Sequence, residues 1–323
     1  MKHIRLFYFA FAGILLAALF LFSGCAQPVT AGSGEISVVT TVFPPYDFAL
    51  AIGGEHATVT QLLRPGAESH TYDPTPADIL LVRDCDLFLY IGGESDAWVD
   101  TLLDAAEPDD GKRKVLRLIE TVDCVEEETV EGMTVHEHEH GDSDEIEYDE
   151  HIWTSPKNAM RMCEAICSAL CECAPDCSDD FQASLRDYLT KLSALDEQFS
   201  GVVSSSSCRT LVFGDRFPFR YLCDAYGLSY RAAFPGCAEE SEPSAATVAE
   251  LIGKIREEKL PAVLTMELSN GKIARAISEE TGAKVLMLHS CHNRTADETA
   301  AGLGYLDLMR RNAETLKEAL NGG

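Results

Sequence analysis

The sequence predicts an α/β protein of two lobes. Each lobe is a four-stranded, mainly parallel sheet flanked by helices, and a long rigid helix joins them. Three observations carry this. Short β-branched or apolar runs alternate with helical stretches, the signature of parallel, doubly wound sheets. The same rhythm occurs twice along the chain. Between the two occurrences lies a single long stretch of helical period. A length of 323 residues leaves room for about two domains at roughly 100–200 residues each. Hydrophobic residues at 46% supply a sizeable core.

In the first half, residues 36–41 (Ile-Ser-Val-Val-Thr-Thr) read as a buried strand. A helix follows Pro44 and Pro45 and ends at Gly53-Gly54. Residues 57–62 form a second strand. Thr75 caps a helix that has Pro76 at its first position, where a missing N–H costs nothing. Residues 87–91 make a third strand, Ser95 caps a helix reaching Ala106, and residues 115–119 make a fourth strand.

The second half places strands at 210–213, 228–234, 262–267 and 285–289. Helices are expected over 244–259, capped by Ser244, over 272–281, closed by Gly282, and over 296–320. Between the halves, residues 157–171 are helical. So are residues 181–203, roughly 35 Å of helix, with Leu185, Tyr188, Leu189, Leu192, Leu195 and Phe199 in helical register.

Lys2 and Arg5 precede an apolar run over 6–22, then Ser23-Gly24-Cys25, which together make a secretory signal. Leu21-Phe22-Ser23-Gly24-Cys25 resembles a bacterial lipobox, in which the Cys is lipidated and becomes the mature N-terminus. A plain cleaved signal and an uncleaved anchor are the alternatives. The expected organisation is a signal over 1–24, a lipidated tether over 25–34, a first lobe over 35–156, a helical segment with the linker helix over 157–204, and a second lobe over 205–323.

Twenty-six Lys and Arg against 53 Asp and Glu give a net charge of −27, and −29 once Lys2 and Arg5 leave. That excludes a general nucleic-acid binder, which needs a basic footprint. Of 12 Cys, the lipobox takes Cys25 and leaves an odd number, so at least one thiol stays free. Cys163, Cys167 and Cys171 share one helix face and read as buried small hydrophobes. No Cys-x-x-Cys pair supports a thiolate metal site, and the remaining cysteines could form disulfides.

Chemistry concentrates in nine His and their carboxylate neighbours. His3 leaves with the signal, and His56 sits in a turn and is expected to be exposed. His70 lies in a Pro-stiffened loop, Arg64 to Pro76, that leaves the carboxyl end of a strand, where open α/β sheets collect ligands. His151 has Ile152 and Trp153 beside it to exclude water. His289 and His292 come at the end of the last strand, and Glu267 ends the preceding one, so Glu267 and His289 could face one cleft. Residues 123–150 hold 13 acids, no Lys or Arg, and His136-Glu137-His138-Glu139-His140. Such charge density cannot pack, and this loop reads as flexible with loose affinity for divalent cations.

The lipobox, Ser69-His70-Thr71-Tyr72-Asp73-Pro74-Thr75-Pro76, the His-rich acidic loop, Asp149-Glu150-His151-Ile152-Trp153-Thr154-Ser155-Pro156, the long helix and Glu242-Pro243-Ser244 occur in that order. In this the chain resembles the metal-binding lipoproteins of ABC-type zinc and manganese importers. The resemblance implies two lobes on a rigid helix with the metal between them. It makes His70 and His151 the first-lobe ligands and places the last ligand on His289. The family's remaining ligand, a His after the first strand of the second lobe, falls on Gly214 in Phe213-Gly214-Asp215-Arg216-Phe217-Pro218 and is missing. Glu267, His292, Asp215 or water is left to complete the shell.

Three imidazoles and an oxygen suit Zn2+, whereas Mn2+, the alternative, prefers more oxygen. Neutral imidazole is required, so binding should weaken below about pH 6. The resemblance further implies a monomer held at the membrane by lipid on Cys25. It would be not an enzyme but a carrier that delivers to an ABC permease and its ATPase. The chain itself has no Gly-x-x-x-x-Gly-Lys-Ser/Thr motif. An exported zinc hydrolase is the alternative in another class, although no His-Glu-x-x-His is present. A surface adhesin on the same fold is a third.

Overall fold

A computed structural model describes residues 35–68, 72–107, 111, 113–127, 133, 148–236 and 243–321. The signal, the lipobox, His70 and the three loop His therefore lie outside the described residues. Among the described residues, eight strands form two sheets, and each pair of strands within them is parallel. The first sheet contains β1 (Ile36–Thr40), β2 (Ala57–Gln61), β3 (Leu87–Tyr90) and β4 (Lys114–Arg117), in the order β2-β1-β3-β4. The second contains β5 (Thr210–Phe217), β6 (Ser229–Pro235), β7 (Ala262–Thr265) and β8 (Lys284–Met287), in the order β6-β5-β7-β8. The expected two-lobed α/β architecture is present, and both sheets have one topology. In each, the winding reverses between the first and third strands, and ligand crevices open beyond the carboxyl ends there.

Three strands depart from expectation in ways that matter for the cleft. β5 runs on to Phe217, and its register with β6 shifts between Phe213 and Arg216, a bulge that re-aims the side chains beyond it. β7 and β8 end at Thr265 and Met287, so Glu267 and His289 sit on loops.

Local sequence explains most of the helices. α1 (Phe43–Gly53) carries Pro44 and Pro45 in its first turn, where an N–H has no partner to lose. α2 (Pro76–Asp84) starts with a full capping box between Thr75 and Asp78. The helix expected from Ser95 begins as a 3-10 turn and becomes α3 (Val99–Ala105). α4 (Pro156–Cys173) and the 28-residue α5 (Ser178–Ser205) follow, then α6 (Arg220–Tyr226). In α7 (Ala245–Glu258) the Ser244 hydroxyl accepts from the Thr247 N–H, and Gly282 closes α8 (Lys272–Thr281) in the left-handed region. The last helix is two: α9 (Ala296–Ala300) and α10 (Tyr305–Asn321). The break comes from Gly302, at φ 68°, and from Asp47, whose carboxylate accepts the Tyr305 N–H at 3.0 Å.

One apolar core runs through both lobes and includes Phe48, Trp153, Phe199, Phe213 and Tyr305, all fully buried. Smaller clusters cover the outer faces. Val39, Val82, Phe88 and Leu102 belong to the first lobe; Val212, Leu251, Val263 and Ile277 belong to the second. α5 packs on α1, α4 and α10, so it is a strut inside the shared core. Cys163 and Cys167 are buried as expected and Cys171 partly so; burial pushes the Cys167 thiol up to about 12. The ten described cysteines are free thiols. His56 is not simply exposed: its Nε2 lies 3.0 Å from Asp180 Oδ2 and its Nδ1 3.6 Å from Cys177 Sγ.

Candidate metal centre

The carboxyl ends of the two sheets meet at a cavity of about 30 Å³. The first lobe lines it with Ala67, Glu68 and His151, and the second with Arg216, Gly236, Glu267, Leu268 and His292, among others. Its volume is roughly that of one or two waters. The scale is that of an ion.

His151 is held from the first lobe. It follows the only antiparallel bridge among the described residues, Glu126 to Tyr148, which closes the base of the acidic loop. Asp149 Oδ1 accepts both the His151 backbone N–H at 2.8 Å and the ring Nδ1–H at 3.0 Å. With Nδ1 occupied, Nε2 keeps its lone pair, the arrangement usual for metal-binding imidazoles. The Tyr221 hydroxyl donates to the Asp149 carbonyl at 2.8 Å and fixes this turn in place. Burial alone would depress the His151 pKa. The Asp149 hydrogen bond and the charges of Asp149, Glu150 and Glu127 outweigh it, and the net shift is upward. Gly236 lies against the ring; a Cβ there would stand 3.1 Å from His151 Cε1.

His292 comes from the second lobe and faces His151. The ring centroids are 5.7 Å apart and the planes nearly perpendicular, at 87°. Trp153 packs on both rings, at 5.4 Å from His151 and 5.1 Å from His292, and its Nε1–H donates to the Ser290 carbonyl at 2.8 Å. The backbone that delivers His292 is strained. Only three described non-Gly residues have positive φ. Lys259 caps a helix; Cys291 and Leu268, both at φ 60°, immediately precede His292 and follow Glu267. Left-handed backbone costs a non-Gly residue roughly 1–2 kcal/mol, and it clusters here at the cleft.

His289 stands behind this wall and does not line the cavity. The Cys291 N–H donates to its Nδ1 at 2.9 Å, and its Nε2 lies 3.4 Å from Glu298 Oε2, so both ring nitrogens are engaged. Glu267 lines the cavity, but its carboxylate accepts from the Ser290 N–H at 2.7 Å and from the Ser290 hydroxyl. The structure therefore brings His151, Glu267 and His292 to one cavity, with His289 a layer behind. Asp215 is turned away, accepting from the Thr265 hydroxyl at 2.7 Å and the Met266 N–H at 3.2 Å. Cys291 is fully buried, and burial pushes its thiol well above the usual range. Among the described residues, no three His, Cys, Asp or Glu side chains converge within ligating reach of one point.

At Gly214 the backbone of α8 takes the space. A Cβ there would stand 2.6 Å from Ala274 Cα. Two residues on, past the bulge, Arg216 points its guanidinium into the cavity and pairs with Glu68 across the cleft at 3.1 Å. The loop leading to His70 is tied to the second lobe as well. The Asn293 amide donates to the carbonyls of Arg64 and Ala67 at 2.7 and 2.9 Å, and the Gly66 N–H donates to the Arg294 carbonyl at 2.7 Å. Arg294 stacks on Phe43, 4.4 Å from its ring centroid.

Sequence reasoning did not assign roles to Asp149, Arg216, Gly236 or Asn293. For Asp149 a signal was present, a carboxylate two residues ahead of a histidine. The other three depend on which loops meet across the cleft.

The profile of the family described as "Zinc-uptake complex component A periplasmic" matches residues 38–319. The zinc-binding lipoprotein AdcA of Streptococcus pneumoniae serotype 4 is 32% identical over 309 residues, covering 94% of this chain and 59% of AdcA. The chain thus spans about three-fifths of the length of that relative. The high-affinity zinc uptake system protein ZnuA of Bacillus subtilis is 28% identical, over 95% of this chain and 96% of its own. The crystal structure of the Zn(II)-bound ZnuA-like domain of S. pneumoniae AdcA superposes with a TM-score of 0.72 at 28% identity, covering 89% of this chain and all of that one.

Proposed function

This chain belongs to the family of periplasmic zinc-uptake complex component A proteins, and from that premise we propose that it captures one Zn2+ between its lobes and delivers it to an ABC importer. The protein is a carrier, not an enzyme. The observation that carries this reading is the pair His151 and His292. Two buried or half-buried imidazoles from opposite lobes face each other across an ion-sized cavity, and one is oriented by a buried carboxylate.

His70 is the third ligand in this reading. It follows Glu68 of the cavity wall by two residues, a span of at most ~7 Å. Glu267 is the nearby oxygen donor, and the site favours zinc over Mn2+ because imidazole dominates the donor set. His289 supports the wall through Cys291 and Glu298. The acidic loop with His136, His138 and His140 raises the local cation concentration at the cleft. Lipid on Cys25 holds the carrier at the membrane surface, a permease receives the ion, and its ATPase supplies the energy.

The test is calorimetric titration of the metal-free protein with zinc and with manganese. It is repeated on His151→Ala, on His292→Ala and on a deletion of residues 136–140. One tight zinc equivalent, lost in both His variants and kept in the deletion, is expected. A tight site indifferent to both His variants overturns the reading.

A further inference from the structure

The loop that leads to His70 leaves the first sheet after Leu63, whose N–H donates to the Thr41 carbonyl at 3.1 Å. Beyond that point its own lobe no longer holds it. Among the described residues, every hydrogen bond that ties residues 64–68 to another part of the chain comes from the second lobe. Two of them come from one side chain, that of Asn293, the neighbour of His292. From this we propose that Asn293 is a positioning residue of the metal site. Without touching the ion, its amide holds the His70 loop against the wall that carries His292. The inference rests on the carrier reading above.

The amide has one orientation and full occupancy. Its Nδ2 donates to the Arg64 and Ala67 carbonyls at 2.7 and 2.9 Å, and its Oδ1 accepts from the Arg294 N–H at 2.8 Å and from Gln61 Nε2 at 3.2 Å. Both donors and both acceptor positions are filled. A flipped amide would set N–H groups against the N–H donors of Gln61 and Arg294. Asn293 is only 3% exposed, so water cannot take its place. Backbone bonds continue this seam on either side. The Gly66 N–H donates to the Arg294 carbonyl at 2.7 Å, and the Phe43 N–H donates to the His292 carbonyl at 3.2 Å. His292 therefore belongs to the second lobe in sequence and is hydrogen-bonded to the first.

Loop order bears directly on affinity. Residues 62–68 carry no helix or strand to hold them straight. A donor on a loose loop has to be ordered at the moment of binding, and that lost freedom weakens the complex. Pro65 stiffens the loop but does not aim it. Asn293 aims it in advance, gripping carbonyls on both sides of the turn at Pro65-Gly66. His70 follows Ala67 by three residues, at most ~11 Å of chain. An amide that anchors the loop so near the donor restricts where that donor can go.

The experiment is zinc calorimetry on the full chain in mild detergent, arranged as a double-mutant cycle of Asn293→Ala and His70→Ala. Asn293→Ala is expected to weaken zinc about tenfold or more when His70 is present, and by less than about twofold when it is absent. A merely structural role would weaken both alike. Cobalt gives a second readout: Asn293→Ala should lower the visible absorption of the Co2+ form toward that of His70→Ala, as water replaces a nitrogen donor. A third measurement needs no variant and decides the matter if Asn293→Ala does not fold. In the metal-free wild-type protein the Gly66 N–H should exchange slowly with solvent, and exchange at the rate of an open loop overturns the proposal. Equal losses in both backgrounds, or none in either, with zinc still lost in His151→Ala, overturn this inference and leave the carrier reading standing. Zinc binding that ignores both His151→Ala and His292→Ala overturns the carrier reading and this inference with it.

Discussion

The two lobes are the same sheet built twice, yet they meet the cleft with different chemistry. The first lobe offers a histidine whose ring is fixed by a buried Asp149 only two residues away. The second offers a histidine delivered by a left-handed Cys291, a bare Gly214 and a guanidinium. Matching strand order guarantees that loops converge at the carboxyl ends. It does not decide what the loops carry. The first lobe's contribution is local in sequence, and the second lobe's depends on backbone turns and on packing by α8.

The largest expected effect separates the two walls residue by residue. His151→Ala and His292→Ala should each weaken zinc by more than about 100-fold, ~2.7 kcal/mol. His289→Ala should lower thermal stability while leaving zinc close to its original affinity, because that ring is engaged with Cys291 and Glu298. Calorimetry and melting curves on the three variants check this. The reverse pattern, zinc lost with His289 and kept without His292, would exchange the roles assigned to the second lobe.

Next comes the glycine. Gly214→Ala should destabilise the fold by about 1–3 kcal/mol, since the Cβ meets backbone that cannot move freely. Gly214→His should melt early for the same reason and gain no zinc affinity. A stable, tighter-binding Gly214→His protein would mean that α8 yields and that the lobes differ less than their packing indicates.

Asp149→Asn tests the first lobe at about tenfold, ~1.4 kcal/mol, the lower end for a partner of a ligand because the amide oxygen can still accept. It also carries a pH signature. The raised His151 pKa means that the metal-free fold holds this proton more tightly than the unfolded chain. That increment of stability is fully present below the ordinary histidine value near 6.5 and is lost as pH rises through the raised value. Zinc needs the neutral ring, so release on acidification should begin at a higher pH than for an ordinary histidine. Asp149→Asn should move that onset downward and remove the increment. Zinc affinity and urea midpoints over a pH series read both.

The smallest effect probes the strained rim. Leu268 is 42% exposed at φ 60°, and Leu268→Asn, which tolerates that conformation, should stabilise by up to about 1 kcal/mol in urea unfolding. A loss of stability there would show that the leucine side chain contributes more than the backbone strain costs.

Much of this fold was legible in the chain. Thr75 and Ser244 cap the helices that their sequence contexts announce, because capping is satisfied within three residues. The strands fall on the expected apolar runs, but β5 runs on past Phe213, and β7 and β8 stop short of Glu267 and His289. The split between α9 and α10 was not legible, since it arises where Asp47, far away in sequence, accepts the Tyr305 N–H. His151 was singled out by its neighbours Ile152 and Trp153. Arg216 was not, because its direction follows from a bulge in β5.

The sequence by itself determined two parallel sheets and the linker helix, and it pointed to His70, His151, His289 and Glu267 as candidate ligands. Periodicity, caps and turn residues act over a few positions, so they can be read along the chain. Only the tertiary structure decided which histidine of His289-Ser290-Cys291-His292 reaches the cleft. That choice rests on one positive φ at Cys291 and on the hydrogen bonds that hold His289 behind it. The same holds at Gly214. Its missing side chain is a ligand lost in sequence, and in space it is the seat of α8.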